Sequence, residues 1–327
     1  RFVFVDVEEG RAFIVTDLHG DWDAYRRYRD KFFELNGQNQ ADFFCVLGDM
    51  IHFTGPEASD RSVDIVLDLI HLQEKHPDKI RCVLGNHELP HIYSITLQKG
   101  NEFYTPRFEK SLKENREKII TFFDTLPFYL RTTAGVTLCH AGATAAISQK
   151  EGMERLCYFS HQALLEKARE AITPEERPSL MRAMRKLHNR TYNEMARNYF
   201  DVTGVEDPRY DDFLIGTLAS SSNPDFNLLW DALFTRNEKE YGREGYKVIL
   251  ENMLLAFSKD FAMQRFIVSG HINVRGGYEI INNVQLRLAS AKHASPREAG
   301  QYLLLDCQEK VRSVSDLTKN LGSVFTS

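Results

Sequence analysis

Five short polar motifs, each set directly after a run of apolar, β-branched or aromatic residues, constrain this chain more than any other feature. They read Asp17-Leu18-His19-Gly20, Gly48-Asp49-Met50, Gly85-Asn86-His87-Glu88, His140-Ala141-Gly142 and Gly270-His271. The runs before them occupy residues 12–15, 43–47, 80–84, 136–139 and 266–268. An apolar run that ends abruptly in polar residues reads as a buried strand delivering side chains at its tip. These tips carry two Asp, one Asn and four His. That set suits a pair of divalent metal ions held at the edge of a sheet.

Two such ions about 3.5–4 Å apart form a clamp for phosphoryl transfer, because they share and deprotonate one water. Hard oxygens and imidazoles are the fitting ligands, with one carboxylate reaching both ions. Asp17 and His19 are two apart on extended chain, so both face one side and grip a single ion. Asp49 is the natural bridge. Asn86 offers an amide oxygen, and His140 and His271 complete the second ion. Gly20, Gly48, Gly85, Gly142 and Gly270 let the chain turn tightly beside these residues. His87 follows a ligand without being one, which places it to protonate a departing alkoxide or phenoxide. The implied reaction is in-line attack of a metal-bridging hydroxide on phosphorus, with no covalent phospho-enzyme.

The order of these motifs resembles the metallophosphoesterase superfamily, and within it the phosphoprotein phosphatase family of Ser/Thr phosphatases. That family's pattern is Gly-Asp-X-His-Gly, Gly-Asp-X-Val-Asp-Arg-Gly, Gly-Asn-His-Glu, a His-Gly segment and a lone late His. Phe122 to Pro127, Leu228-Leu229-Trp230, Gly277-Tyr278-Glu279 and Ser290-Ala291 extend the likeness in family order. Many other metallophosphoesterases end in Gly-His-X-His; Asn273 stands here at the second His, which favours the phosphoprotein phosphatase branch. The resemblance implies a calcineurin-like four-layer αββα sandwich with two mixed sheets. It also implies that Asp17, His19 and Asp49 hold the first ion, that Asp49, Asn86, His140 and His271 hold the second, and that His87 is the general acid.

The chain departs from that pattern where phosphate is gripped. His52 and Phe53 stand at the family's Asp and Arg, Leu84 at the Arg before Gly-Asn-His-Glu, and Ala294 at a late Tyr. A bidentate Arg is the preferred grip on a phosphate dianion, and neither Phe nor Leu replaces it. His52 is expected to act as a neutral hydrogen-bond partner of His87 or to contact substrate. Arg243 is the expected substitute cation, from its spacing between Trp230 and His271. Asp60-Arg61, Lys292 and His293 are weaker candidates.

A hydrophobic fraction of 43% and a charged fraction of 27% describe a globular chain. The formal net charge of −5 argues against a nucleic-acid binder driven by phosphate neutralisation. No apolar run approaches the roughly 20 residues of a membrane span. Cys45, Cys82, Cys139, Cys157 and Cys307 read as free thiols, most of them in strand-like runs, which fits a cytoplasmic setting. Arg1 opens the chain without Met, so a native start and any targeting signal are expected to lie outside it.

Residues 1–327 are expected to form one catalytic domain. Asp21 caps a helix carrying Trp22, Tyr25, Tyr28, Phe32 and Leu35 and ending at Gly37. Val63, Val66, Leu67 and Ile70 mark a second helix, and Thr105-Pro106 opens a third through Phe108, Leu112, Ile119 and Phe123. Short strands dominate after Ala262, and the tail after Lys310 reads as peripheral. Residues 143–225 lack strand signals and read as a helical insertion, helical over 153–171 and 180–200. Its Arg182, Arg185, Lys186 and Arg190 are expected to be a solvated face or part of the phosphate grip.

The sequence therefore points to a phosphomonoesterase dependent on two divalent ions (Mn, Fe or Zn), with a phosphorylated protein as substrate. The alternative is a nucleotide, diadenosine polyphosphate or other small phosphoester, since the walls of the site and not its metals set the substrate. A scaffold retaining metals for stability alone would be expected to lose ligands, and all six are present. Oligomeric state is not legible.

Overall fold

The computed structural model describes residues 3–99, 102–221 and 223–325. The chain divides into two compact units, one of Arg1–Glu88, Thr125–Tyr158 and Leu228–Ser327, the other of Leu89–Asp124 and Phe159–Asn227.

Among the described residues of the first unit, eleven strands build two mixed sheets. In chain order they are β1 (Phe4–Val7), β2 (Arg11–Val15), β3 (Phe43–Val46), β4 (Ile80–Cys82), β5 (Tyr129–Thr132), β6 (Val136–Cys139), β7 (Phe266–Ser269), β8 (Tyr278–Ile281), β9 (Gln285–Leu288), β10 (Tyr302–Asp306) and β11 (Leu321–Gly322). One sheet runs β1-β5-β6-β7-β9-β8 and the other β11-β10-β2-β3-β4. In the first, β6, β7 and β9 are mutually parallel, with Leu138 beside Val268 and Val268 beside Leu286. In the second, β2, β3 and β4 are parallel, with Val15 beside Val46 and Val46 beside Cys82.

Side-chain alternation assigns each strand its faces. Ala12 and Ile14 enter a core shared by both sheets with Cys45, Leu138, Val268, Leu286 and Leu303. Phe13, between them, stacks instead on Tyr302 at 4.3 Å and meets Tyr28 and Phe32 of the helix Trp22–Gly37. That helix begins where expected, since the Asp21 carboxylate accepts from the Ala24 N–H at 3.0 Å. Phe257, at the end of the helix Arg243–Phe257, packs edge-on against Phe4 and Tyr129 of the other sheet. Two sheets meeting face to face under outer helices form the mixed α/β architecture of the calcineurin-like fold.

Several local expectations change. The second helix, Ser62–Lys75, buries Ile65, Val66, Leu69 and Ile70, a stripe rotated from the expected one. Thr105 does not cap a helix; it lies inside Thr105–Leu112, where its hydroxyl accepts from the Leu97 N–H. Lys113, at φ 46°, breaks the chain before Arg116–Thr125 begins. The tail is not peripheral: Val311, Val314 and Leu317 belong to the core between the sheets, and β11 pairs with β10.

The second unit contains the helices His161–Glu170, Arg177–His188, Tyr192–Phe200 and Asp212–Ser220 around its own core of Met184, Tyr192, Met195, Phe200 and Phe213. The expected long helices are broken by caps. Ser160 accepts from the Ala163 N–H, and Thr191 with Glu194 forms a capping box that starts a new helix. Arg182, Arg185, Lys186 and Arg190 are exposed.

Candidate metal centre

Every motif lies where a parallel strand ends. Asp17 and His19 follow β2, Asp49 follows β3, and Asn86 and His87 follow β4. His140 follows β6 and His271 follows β7. The carboxyl edge of parallel strands is where α/β sheets bind ligands. The backbone there is strained: φ is 51° at Asp17, 44° at His19, 52° at Asp49, 71° at His52 and 71° at His271. Non-glycine residues in that region cost about 1–3 kcal/mol each and persist where surroundings over-determine them. Glycine permits the tips to touch. A Cβ on Gly48 would stand 2.6 Å from Gly85 Cα, and one on Gly270 would stand 2.0 Å from Asp17 Oδ2.

Hydrogen bonds then fix which nitrogen each histidine presents. His19 Nδ1 lies 3.0 Å from the Ile51 carbonyl, and His140 Nδ1 lies 2.9 Å from the Leu47 carbonyl. A carbonyl only accepts, so each Nδ1 carries the hydrogen and each Nε2 is left as a lone pair. His19 Nε2 is 3.4 Å from Asp49 Oδ2, and both atoms are buried without a hydrogen-bond partner. His140 Nε2 is 3.5 Å from Asp49 Oδ1, 2.8 Å from Asn86 Oδ1 and 3.2 Å from His271 Nδ1. Donor atoms sharing one ion at bonds of about 2.1 Å stand about 3.0–3.4 Å apart. The His19 and His140 lone pairs, facing oxygen acceptors at these spacings, fit the edges of two coordination shells that share Asp49.

Electrostatics agree with that reading. Burial, then the charge of Asp17, pushes the Asp49 carboxyl well above its ordinary range. Burial alone would raise Asp17, but His293, then His140 and His19, hold it below the usual carboxylate range. Burial, then His293, pushes His19 down to about 3. His87 and His271 are likewise held well below ordinary imidazole values, first by burial and then by neighbouring histidines. Burial and neighbouring charge thus favour the neutral rings of His19 and His271, whose lone pairs suit a cation.

His87 sits at the rim, its Nε2 3.9 Å from Asp49 Oδ2. His52 reaches it, with the two Nδ1 atoms 2.8 Å apart. Arg243 is not brought there. Its Nε donates to Asn282 Oδ1 at 3.3 Å, in the turn that precedes β9. That turn lies at the amino end of the parallel strands, and the motifs lie at the carboxyl end. Arg61 is exposed, pairs with Asp64 and lies 5.2 Å over the Trp22 ring. Lys292 is nearer: its N–H donates to the Asp17 carbonyl at 3.3 Å and its ammonium to Thr54 Oγ1.

Two residues carry more than the sequence suggested. Glu88 is buried, and its carboxylate accepts from Met50 N at 2.8 Å and from Asp49 N and Gly85 N at 3.0 Å, tying two motif loops together. Burial, then Asp49, pushes its pKa up to about 8. The signal was its place in the third motif. His293, read only as a weak phosphate contact, lies in the cluster, with Nδ1 3.1 Å from Asp17 Oδ1.

Comparison with known proteins places this geometry. The model of the calcineurin-like phosphoesterase family matches residues 10–215. A zinc-dependent endopolyphosphatase of Saccharomyces cerevisiae is 36% identical over 75 residues, which are 23% of this chain and only 20% of that protein. A protein serine/threonine phosphatase from Saccharomyces cerevisiae superposes with a TM-score of 0.52 at 13% identity, covering 94% of this chain and 77% of that one. A cold-active protein-tyrosine phosphatase of Shewanella gives a TM-score of 0.44 at 14% identity, covering 93% and 77%. The donor set fits the divalent metals that calcineurin-like enzymes use, and the family match spans well over half of the sequence. The chain belongs to the calcineurin-like phosphoesterase family, whose members are metal-dependent phosphoester hydrolases.

Proposed function

We propose that this protein is a phosphomonoesterase acting on phosphorylated protein, with Asp17, His19 and Asp49 holding one divalent ion and Asp49, Asn86, His140 and His271 a second. The observation that carries the reading is the pair of buried, unpartnered atoms His19 Nε2 and Asp49 Oδ2, 3.4 Å apart. When bound, the two ions supply positive charge for the phosphoryl oxygens and lower the pKa of water. The motif order, with Asn273 rather than a second His, supports the protein-phosphatase branch.

The remaining steps belong to side chains. Of the two Nδ1 atoms joining His52 and His87, one carries the hydrogen and the other accepts it. When His87 is protonated at both nitrogens, Nδ1–H donates to His52 and Nε2–H remains for the leaving oxygen. His52 thus orients the ring that an Asp orients in the resembling family, without that carboxylate's stabilisation of charge. Lys292 offers the cation that Phe53 and Leu84 do not. The free thiols, four of the five buried, support a reducing, cytoplasmic setting.

A second reading, hydrolysis of phosphoanhydrides such as polyphosphate or nucleotides, draws on the local likeness to the endopolyphosphatase. Turnover of para-nitrophenyl phosphate, phosphopeptides, nucleotides and polyphosphate, before and after chelation, tests both. The proposal expects phosphopeptide turnover that chelation abolishes and Mn, Zn or Fe restores. Turnover confined to phosphoanhydrides would favour the second reading, and turnover indifferent to chelation would overturn both.

A further inference from the structure

The two shells around Asp49 are unequal. The second receives four protein groups, whereas the first receives only Asp17, His19 and the shared Asp49. We infer that His293 is a fourth protein ligand of the first ion, through Nδ1; the inference rests on the two-ion reading above.

Geometry singles out this histidine. Its Nδ1 is buried and lies 3.1 Å from Asp17 Oδ1, the spacing of two donors on one ion. Its ring lies 5.2 Å from that of His19. The ligating atoms of Asp17, His19 and His293 all fall within 4.8 Å of one another. His293 is therefore aimed at the first ion rather than the second.

The chain around it is held in place before any ion arrives. The Thr16 N–H donates to Ser290 Oγ at 3.0 Å, the Tyr28 hydroxyl to the Ser290 carbonyl at 2.6 Å, and the Lys292 N–H to the Asp17 carbonyl at 3.3 Å. His293 also follows β9, so each sheet sends residues from three parallel strand ends. On its far side the Val274 N–H donates to the His293 carbonyl at 2.9 Å. Val274 pairs with Ala294 and Arg275 with Ser295 in parallel register, so one step back sets His293 beside Asn273. Asn273 is the position at which a Gly-His-X-His chain carries its second imidazole. Here the imidazole comes from the adjoining strand instead. Two imidazoles on the first ion favour Zn, Fe or Mn over Mg, which prefers oxygen ligands.

The test counts ions rather than turnover. Metal-free wild type, His293→Ala and His140→Ala are dialysed against buffered free Mn2+ or Zn2+, and bound metal is measured by elemental mass spectrometry. The inference expects two ions on wild type, and on His293→Ala one ion at wild-type affinity and a second weakened by about 10–100-fold or more. Two ions at wild-type affinity on His293→Ala would overturn the inference alone. No ion on wild type would overturn the metal centre and the inference together. Should His293→Ala fail to fold, His293→Cys loaded with Co2+ gives a second reading. A thiolate-to-cobalt charge-transfer band absent from cobalt-loaded wild type is expected, and its absence in folded, loaded variant would contradict the assignment.

Discussion

His91 and His140 are both buried histidines, and they are buried for opposite reasons. His91, in the second unit, meets Glu109 Oε1 at 2.6 Å, and Glu109 Oε2 accepts from Arg116 Nε at 3.0 Å. In that network the Glu109 carboxylate is answered by two other side chains. His140, in the first unit, has Nδ1 fixed by the Leu47 carbonyl, which turns the Nε2 lone pair toward the Asn86 amide oxygen and the Asp49 carboxylate, both of which accept. A buried histidine paired with a carboxylate holds a fold together; histidines that converge with their lone pairs toward oxygen acceptors hold something else.

The contrast breaks first at Asp49. Asp49→Asn weakens the group shared by both shells, and kcat is expected to fall on the order of 10³-fold with Tm little changed or raised. A variant that kept its turnover would remove Asp49 from the chemistry. His87→Gln should lower kcat by about 10²–10⁴-fold, more for alkyl phosphates than for para-nitrophenyl phosphate, whose leaving group needs no proton. An equal loss on both substrates would assign His87 another role.

The closed network should behave in reverse. Glu109→Ala is expected to cost about 3 kcal/mol of stability, because it leaves buried partners uncompensated, while bound metal per folded chain stays constant. Burial alone would raise the Glu109 carboxyl, but His91 and then Arg116 hold it below its ordinary range. A folded pKa held below the unfolded one contributes stability in full above the unfolded value, and that stability is lost as pH falls through the folded value. Denaturant melts of wild type and Glu109→Ala should therefore converge on acidification below the ordinary carboxylate range; a constant gap would contradict the pairing. The smallest effect is expected at Lys292→Ala, about a fivefold rise in KM for a phosphate dianion with kcat nearly kept, since one exposed cation contributes roughly 1 kcal/mol. An unchanged KM would leave the phosphate grip to other residues.

The five strand tips were legible because each polar motif directly follows a short, mostly apolar run; Asp17, Asp49 and His140 mark where those runs end. The helix at Trp22–Gly37 was legible from its cap and its spacing. Arg243 misled because spacing along a chain does not say which end of a sheet a residue reaches. His293 was undervalued because its place depends on the register of a two-residue strand, Ala294–Ser295, too short to leave a periodic signal. The tail hid its role in the same way, with Val311, Val314 and Leu317 spaced across a break that only the fold brings to the core.

Anomalous diffraction from crystals grown with Mn2+ tests the central claim most directly. Two peaks about 3.5–4 Å apart, with Asp49 touching both, are expected between the six strand-end ligands. A single peak, or two that do not share Asp49, would contradict it.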